Sequence, residues 1–113
     1  SVNLILTDNG KDKILKYDID KMVIKKPTYW DNLWRMVIFD IPEDKKIGRN
    51  ALNIKLKELG FYPMQKSVFI HPYECQDEIN FITEIFELAP YVRFLRVKDV
   101  DIELDLKKRF SLL

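Results

Sequence analysis

The chain has 113 residues, of which 47% are hydrophobic and 12% aromatic. This is enough for one hydrophobic core but too little for two, so we expect one domain with short appendages. The formal net charge is only +1, and the single cysteine, Cys75, excludes an internal disulfide framework and a thiolate zinc cluster. No signal peptide or apolar run of membrane-spanning length is visible, so we expect a cytoplasmic protein without a membrane partner.

The first thirty residues differ from the rest of the chain. Residues 2–6 form a short strand-like run, and Thr7 can cap a helix over residues 8–17. A domain rarely begins on such a strand, so we expect residues 1–30 to be the end of an upstream unit followed by a linker. The linker, residues 21–30, contains the basic, proline-broken run Lys25-Lys26-Pro27-Thr28.

The most informative segment runs from Trp34 to Asp44. It is an apolar strand that carries one carboxylate, Asp40, at its C-terminal end, followed by Pro42 and a helix start. A strand that is apolar on both faces belongs inside a covered sheet, where an ionised Asp is costly unless it lies at the strand exit or has a partner. Asp40 is therefore the residue to explain.

The remaining elements follow from periodicity and from breaking residues. A helix is predicted over residues 44–59, stopped by Gly60 in a left-handed conformation, and a second helix over residues 74–87. Residues 61–65 and 67–71 predict a hairpin, and residues 91–97 a last strand. The apolar face of the first helix is predicted to comprise Ile47, Ala51, Leu52, Ile54, Leu56 and Leu59, and that of the second Cys75, Ile79, Ile82 and Phe86.

The order β-α-β-β-α-β over residues 31–98 predicts an α+β, ferredoxin-like sandwich, with a four-stranded antiparallel sheet and two helices on one face. Residues 99–113 are expected to be a tail or a short helix. The strands carry apolar residues on both faces, as Val68 and Ile70 alternate with Phe69. Because the helices cover one face only, we expect a partner on the other.

Three segments resemble known proteins: Phe39-Asp40-Ile41-Pro42-Glu43-Asp44, Arg49-Asn50-Ala51-Leu52, and Gln65-Lys66-Ser67-Val68-Phe69-Ile70. Over residues 34–97 the chain is similar to the CRISPR-associated adaptation endonucleases. It more closely resembles the central domain of phenylacetate-repressor-type, or PaaX-like, transcriptional regulators, which share this domain, through Trp34–Glu43 and Gln65–Tyr73. In those regulators a winged-helix domain comes first, and residues 4–10 resemble its end, with Lys11, Lys13 and Lys16 as minor DNA-backbone contacts at most.

The resemblance supports two main hypotheses from different classes. The first is a binding module, the dimerising domain of a PaaX-like, DNA-binding regulator. The second is a Mg²⁺-dependent endonuclease that cuts RNA or DNA. The regulator is favoured because about thirty residues precede the first core strand and because Phe39 stands where the nucleases often have Tyr. A third hypothesis is that the domain only scaffolds an integrase-type protein partner through its edge strands or residues 99–113.

Under the nuclease hypothesis, Asp40 is both the catalytic residue and the metal ligand. One carboxylate leaves most of the Mg²⁺ shell to water, so a homodimer would have to bring two copies of Asp40 to one ion. Arg49, with Lys45 and Lys46, would contact nucleic-acid phosphates. If the nuclease hypothesis does not hold, Asp40 is expected to cap the following helix, or to pair with Arg35 or with a basic residue of the second copy in a dimer.

Other candidate residues have simpler explanations. Ser67 could hydrogen-bond near Asp40, although a Ser at a strand start is more often a local backbone partner. His71 and Cys75 could form a nucleophilic pair, but Pro72 breaks the helix that would align them, so both are expected to serve the fold. Trp30 and Trp34 could stack on bases, but we expect them to pack in the core.

Charge is distributed unevenly along the chain. Residues 44–60 are basic, and residues 74–87 contain five acidic side chains and no Lys or Arg. These segments suit docking between charged faces, although solvated helix faces also explain them.

Overall fold

The computed structural model describes residues 18–113. The strands are β1 (Trp34–Phe39), β2 (Tyr62–Gln65), β3 (Val68–His71) and β4 (Val92–Val97). The α-helices are α1 (Lys46–Glu58), α2 (Gln76–Ile85) and α3 (Glu103–Arg109), with short 3-10 turns at Glu43–Lys45 and Ala89–Tyr91. The strand and helix predicted for residues 2–17, and their three lysines, lie outside the described residues.

The four strands form one antiparallel sheet in the order β2-β3-β1-β4. This order and the intervening helices confirm the predicted ferredoxin-like α+β fold. The predicted stop at Gly60 is also confirmed, because its φ of 96° is one that a residue with a Cβ rarely adopts. Residues 18–21 are helical, and the segment that follows has no helix or strand before β1, although Met22 and Ile24 pack against the core.

The main core lies between the sheet and the first two helices. Val37 and Phe39 of β1, Leu52 and Leu56 of α1, and Ile79 and Ile82 of α2 are all buried there. Gly48, near the start of α1, lies beside the 86–88 segment after α2, because a Cβ at that glycine would be 3.3 Å from a Leu88 methyl. The two helices are therefore antiparallel neighbours in one layer.

The other sheet face carries a second, smaller core, because successive strand residues point to opposite faces. Trp34, Ile70 and Leu106 are fully buried there, with Met36, Val97 and Phe110 packed around them. Helix α3 thus covers part of the face that was expected to need a partner. Leu95 of β4, on the same face, is still 37% exposed, and a partner there stays a prediction.

The predicted apolar face of α1 is wrong at two positions. Leu52 and Leu56 are fully buried, but Ile47 is 83% exposed and Ile54 is 60% exposed. The core-facing stripe instead includes Lys55, whose side chain is only 7% exposed and whose ammonium group lies 3.6 Å from Glu58. A long lysine stem can cover apolar surface while its charge reaches the rim. Two large apolar side chains are left on the outside of the helix layer.

Candidate functional site

Asp40 lies directly after β1, between two neighbouring segments of backbone. The Phe39 N–H donates to the Ser67 carbonyl at 3.1 Å, and the Asp40 N–H donates to the Tyr91 carbonyl at 3.0 Å. The first bond fixes the β2–β3 turn on one side of Asp40, and the second fixes the entry to β4 on the other. The antiparallel sheet therefore gathers three chain segments around this carboxylate.

The Asp40 side chain is exposed and makes no hydrogen bond or ion pair within residues 18–113. The expected helix cap is wrong, because Pro42 occupies the cap position of the following turn and no side chain caps it. The expected pairing with Arg35 is also wrong, since that guanidinium binds Asp31 and Glu74. Arg35 is five residues earlier, about 16 Å away along an extended strand. Exposure at the strand exit, rather than a partner, spares Asp40 the cost of burial.

A polar cavity opens on the side of Asp40 that faces α1 and the hairpin turn. Hydrogen-bond donors outnumber acids among its polar groups, which come from Asp40, Glu43, Arg49, Asn50, Asn53, Lys66 and Ser67. Arg49 is 29% exposed and its Nη1 donates to Glu43 at 3.2 Å. The Asn53 amide donates to the Arg49 carbonyl at 3.3 Å, one helical turn back. The cavity thus places a guanidinium and an ammonium beside two carboxylates, one of which is already paired.

The predicted site residues are only partly brought together. Arg49 and Ser67 line the cavity with Asp40, but Lys45 and Lys46 do not. Sequence reasoning missed Lys66, because its place beside Asp40 follows from the strand order β2-β3-β1 rather than from its neighbours in the chain. It also gave no role to Asn50 and Asn53. The available signal was that Asn53 lies four residues after Arg49 and three after Asn50, spacings that place side chains next to each other on a helix.

A second hollow lies on the β4 side of Asp40 and is lined by Ile38, Phe39, Pro90, Tyr91 and Arg93. Arg93 Nη1 donates to the Val92 carbonyl at 3.0 Å and to the Pro90 carbonyl at 3.3 Å. These bonds fix the guanidinium near the start of β4. Asp40 is therefore flanked by cationic side chains on both sides, Arg49 and Lys66 on one and Arg93 on the other.

The acidic groups do not make a metal site within one chain. In the part of the chain that the structure describes, no three His, Cys, Asp or Glu side chains lie together in a way that could hold an ion. Mg²⁺ prefers six oxygen ligands in octahedral geometry, and Asp40 supplies one carboxylate while Glu43 is bound to Arg49. The residues of a single copy thus do not fit Mg²⁺, and Asp40 of a second copy would be needed.

The His71–Cys75 pair is unsuited to nucleophilic chemistry. Burial lowers the pKa of His71 to about 4 and raises the pKa of the Cys75 thiol to about 12. The His71 ring contacts Phe61, Tyr73 and Phe110, and its Nδ1 accepts the Tyr73 N–H at 3.1 Å. Cys75 is fully buried in the main core. Both residues serve packing, as expected.

The buried imidazole predicts a loss of stability in mild acid. The folded-state pKa of His71, about 4, is below its ordinary value of 6.5. As the pH falls below 6.5, His71 becomes protonated in the unfolded chain but stays neutral in the folded chain. The stability present at neutral pH is therefore lost progressively until the pH reaches about 4, where the folded group also becomes protonated. Between pH 7.5 and pH 5 the free energy of unfolding should fall by about 2 kcal/mol.

Urea unfolding followed by circular dichroism at both pH values measures this loss. The matched variant is His71→Asn, whose amide oxygen can still accept the Tyr73 N–H but does not titrate. Its free energy of unfolding should change by less than about a third as much over the same interval. Equal acid sensitivity in the two proteins would show that another group is responsible.

No helix within residues 18–113 has the length and apolar character needed to cross a bilayer.

Comparison with known proteins identifies the family of the chain but not its chemistry. Searches of curated proteins and of solved structures gave no significant match. The sequence model of the family described as "PaaX protein central Cas2-like domain" matches residues 27–108, most of the chain and all four strands. The chain therefore belongs to the PaaX central Cas2-like domain family.

Proposed function

We propose that this chain is the dimerising domain of a PaaX-like, DNA-binding transcriptional regulator. The observation that carries the proposal is the composition of the Asp40 cavity, in which Arg49, Lys66 and two amides accompany one unpaired carboxylate. Such groups suit contact with a phosphate backbone better than they suit a metal centre. Membership of the PaaX domain family supports the same assignment.

In this proposal the domain positions DNA but does not read its sequence. The Arg and Asn side chains of α1 line the Asp40 cavity at the end of the sheet, so we assign them to phosphate contact and assign specificity to a separate DNA-reading domain. A two-fold dimer holds two such domains at one helical-turn spacing, which suits a palindromic site. The cavity residues would add sequence-independent affinity.

The proposed binding of phosphates predicts a measurable change in salt dependence. Replacing Arg49 and Lys66 with Ala should weaken binding to duplex DNA and reduce the slope of log affinity against log salt by about 1 for each phosphate that is no longer neutralised. Fluorescence anisotropy with labelled duplexes of several sequences, between about 50 and 200 mM salt, measures both quantities. The weakening should be similar for all sequences.

The matched control is Lys98→Ala. Lys98 is also exposed but follows β4, at the opposite end of the sheet from Asp40. It should leave the slope unchanged. If Lys98→Ala and the cavity variant reduce affinity equally, the cavity has no special part in binding.

The dimer itself is tested by sedimentation equilibrium of the chain between about 1 and 200 μM, a range that covers micromolar association. The proposal predicts a reversible approach to twice the mass of one chain. A single species of monomer mass across the whole range would contradict it.

A Mg²⁺-dependent endonuclease is the second candidate. It is favoured by one observation, the exposure of an unpaired carboxylate at the end of a rigid strand. Two copies of Asp40 would have to meet across a two-fold axis, with oxygen atoms about 4 Å apart, to ligate one ion. Arg49 would then contact the scissile phosphate. The two candidates differ both in dimer geometry and in cleavage.

A further inference from the structure

The outer face of the helix layer has an unusual combination of apolar and charged groups. On α1, Ile47 is 83% exposed and Ile54 is 60% exposed. They are two turns apart and therefore lie on the same side of the helix. Exposed Lys46 and Lys57 flank them. Within the described residues, none of these four side chains belongs to either hydrophobic core.

The outer face of α2 has the opposite charge. Asp77 and Glu84 are exposed and lie two turns apart on one side of the helix, with the half-buried Phe81 between them. Within residues 18–113 neither these two acids nor Lys46 and Lys57 belong to an ion pair. The layer thus presents a basic, apolar helix beside an acidic helix, and the two do not neutralise each other within one chain.

We propose that this helix layer is the surface through which two copies of the chain associate, with α1 of each copy lying on α2 of the other. The inference rests on the proposed dimer and specifies its interface. We assign a second copy of the chain as the partner because the helix layer contains both a basic helix, α1, and an acidic helix, α2. A two-fold interface uses the same surface twice, and this surface is complementary to itself.

Charge also selects the direction of the two-fold axis. An axis in the plane of the layer and perpendicular to the helices would place α1 on α1 and bring like charges together. An axis parallel to the helices places α1 on the partner's α2. Because the helices are antiparallel, the C-terminal end of α1 then meets the N-terminal end of α2, so Lys57 faces Asp77 of the second copy. By the same geometry, Lys46 faces the Glu84 end.

This dimer would keep the two copies of Asp40 apart. Each Asp40 lies at the end of a strand in the sheet beneath its helices, so two helix layers separate the carboxylates by on the order of 25–30 Å. A shared metal ion is impossible at that distance. The helix-layer dimer is therefore compatible with the regulator and incompatible with the nuclease.

Charge reversal and mixing test the arrangement by sedimentation equilibrium. Lys57→Glu and Asp77→Lys should each weaken the dimer at least tenfold, because each homodimer then contains two like-charge contacts. An equimolar mixture of the two variants should recover dimerisation to within about threefold of the wild-type value, because each reversed residue then meets the other. Absence of recovery on mixing would overturn the proposed pairing.

Apolar variants provide a matched control. Ile54→Ser on α1 and Leu104→Ser on α3 remove side chains with the same exposure, 60%. The first should weaken the dimer at least tenfold and the second should leave it unchanged. A wild-type dimer that is indifferent to Ile54 and Lys57 overturns this interface but leaves the proposed function standing. A wild-type monomer overturns both. Circular dichroism melts confirm that each variant is folded.

Discussion

Trp34→Ala should lower the free energy of unfolding by about 3–5 kcal/mol, the range for truncating a buried aromatic residue. Trp34 is fully buried at the centre of the second core. Its ring lies 4.8 Å from that of Trp30 and 6.1 Å from that of Phe110, and its indole N–H donates to Glu103 at 3.2 Å. These contacts join β1 to α3, so the variant should loosen the C-terminal helix as well.

Chemical denaturation followed by circular dichroism measures the loss, and hydrogen exchange shows where it falls. Relative to the wild-type chain, the variant should show a larger increase in amide exchange rate in α3 than in α1, because only α3 depends on the second core. The aromatic control is Tyr29→Ala, since Tyr29 is 85% exposed. It should change the free energy of unfolding by less than about 0.5 kcal/mol. Equal destabilisation by both changes would mean that the second core contributes little.

Removing both carboxylates that bind Arg35 should cost about 3–5 kcal/mol of stability. Arg35 is buried in β1, with 4% of its side chain exposed. Its guanidinium donates to Asp31 at 2.6 and 2.7 Å, to Glu74 at 3.0 Å and to the Pro72 carbonyl at 2.9 Å. The double variant Asp31→Ala, Glu74→Ala leaves this charge buried without an anion. Each single variant should cost less than half as much, because one carboxylate remains.

The triple variant that adds Arg35→Met separates charge from packing. If the cost comes from an unpaired buried cation, removing the cation should recover at least half of the stability lost, about 2 kcal/mol. The control double variant, Asp20→Ala with Asp99→Ala, removes two exposed carboxylates that form no ion pair in the described part of the chain, and should be nearly neutral. No recovery in the triple variant would indicate that the carboxylates act through packing.

The ion pairs of Glu74 with Arg35 and Arg96 also determine the pH at which acid begins to lower stability. A hydrogen bond from Arg96, assisted by Arg35 and by the Gln76 N–H, lowers the pKa of Glu74 to about 2 from an ordinary value of 4.5. A carboxylate with a lowered folded-state pKa contributes stability that is present above pH 4.5 and is lost as the pH falls towards 2. Most of this interval lies below the one controlled by His71, between pH 6.5 and about 4, so the two effects can be separated by titration.

Sequence pattern was sufficient for the sheet and the two main helices, because the short apolar run of β1 and the helical repeat of buried residues in α2 follow directly from local geometry. The same pattern was insufficient to predict which apolar side chains of α1 are exposed. Ile47 and Ile54 satisfy the apolar repeat as well as Leu52 does, and only the direction of the sheet determines which side is buried. Hydrophobic spacing alone does not distinguish a core face from a contact surface.

The second core shows a similar limit. Ile102, Leu106 and Phe110 repeat every four residues, which indicates a helix, but whether that helix packs on its own sheet depends on the path of the chain after β4. At the site, Asp40 could be predicted because it ends a strand. Lys66 could not, since its proximity arises from pairing of β3 with β1. Residues brought together by strand order are those that sequence reasoning missed.

We propose that this PaaX-family domain binds nucleic acid and dimerises but does not cut nucleic acid. The most direct test is a cleavage assay on labelled RNA and duplex DNA, with Mg²⁺ or with EDTA, using the wild-type chain and Asp40→Asn. We expect wild-type protein with Mg²⁺ to yield no more product than the EDTA control, and Asp40→Asn to be indistinguishable from wild type. Metal-dependent cutting that the substitution abolishes would contradict the account and establish the nuclease.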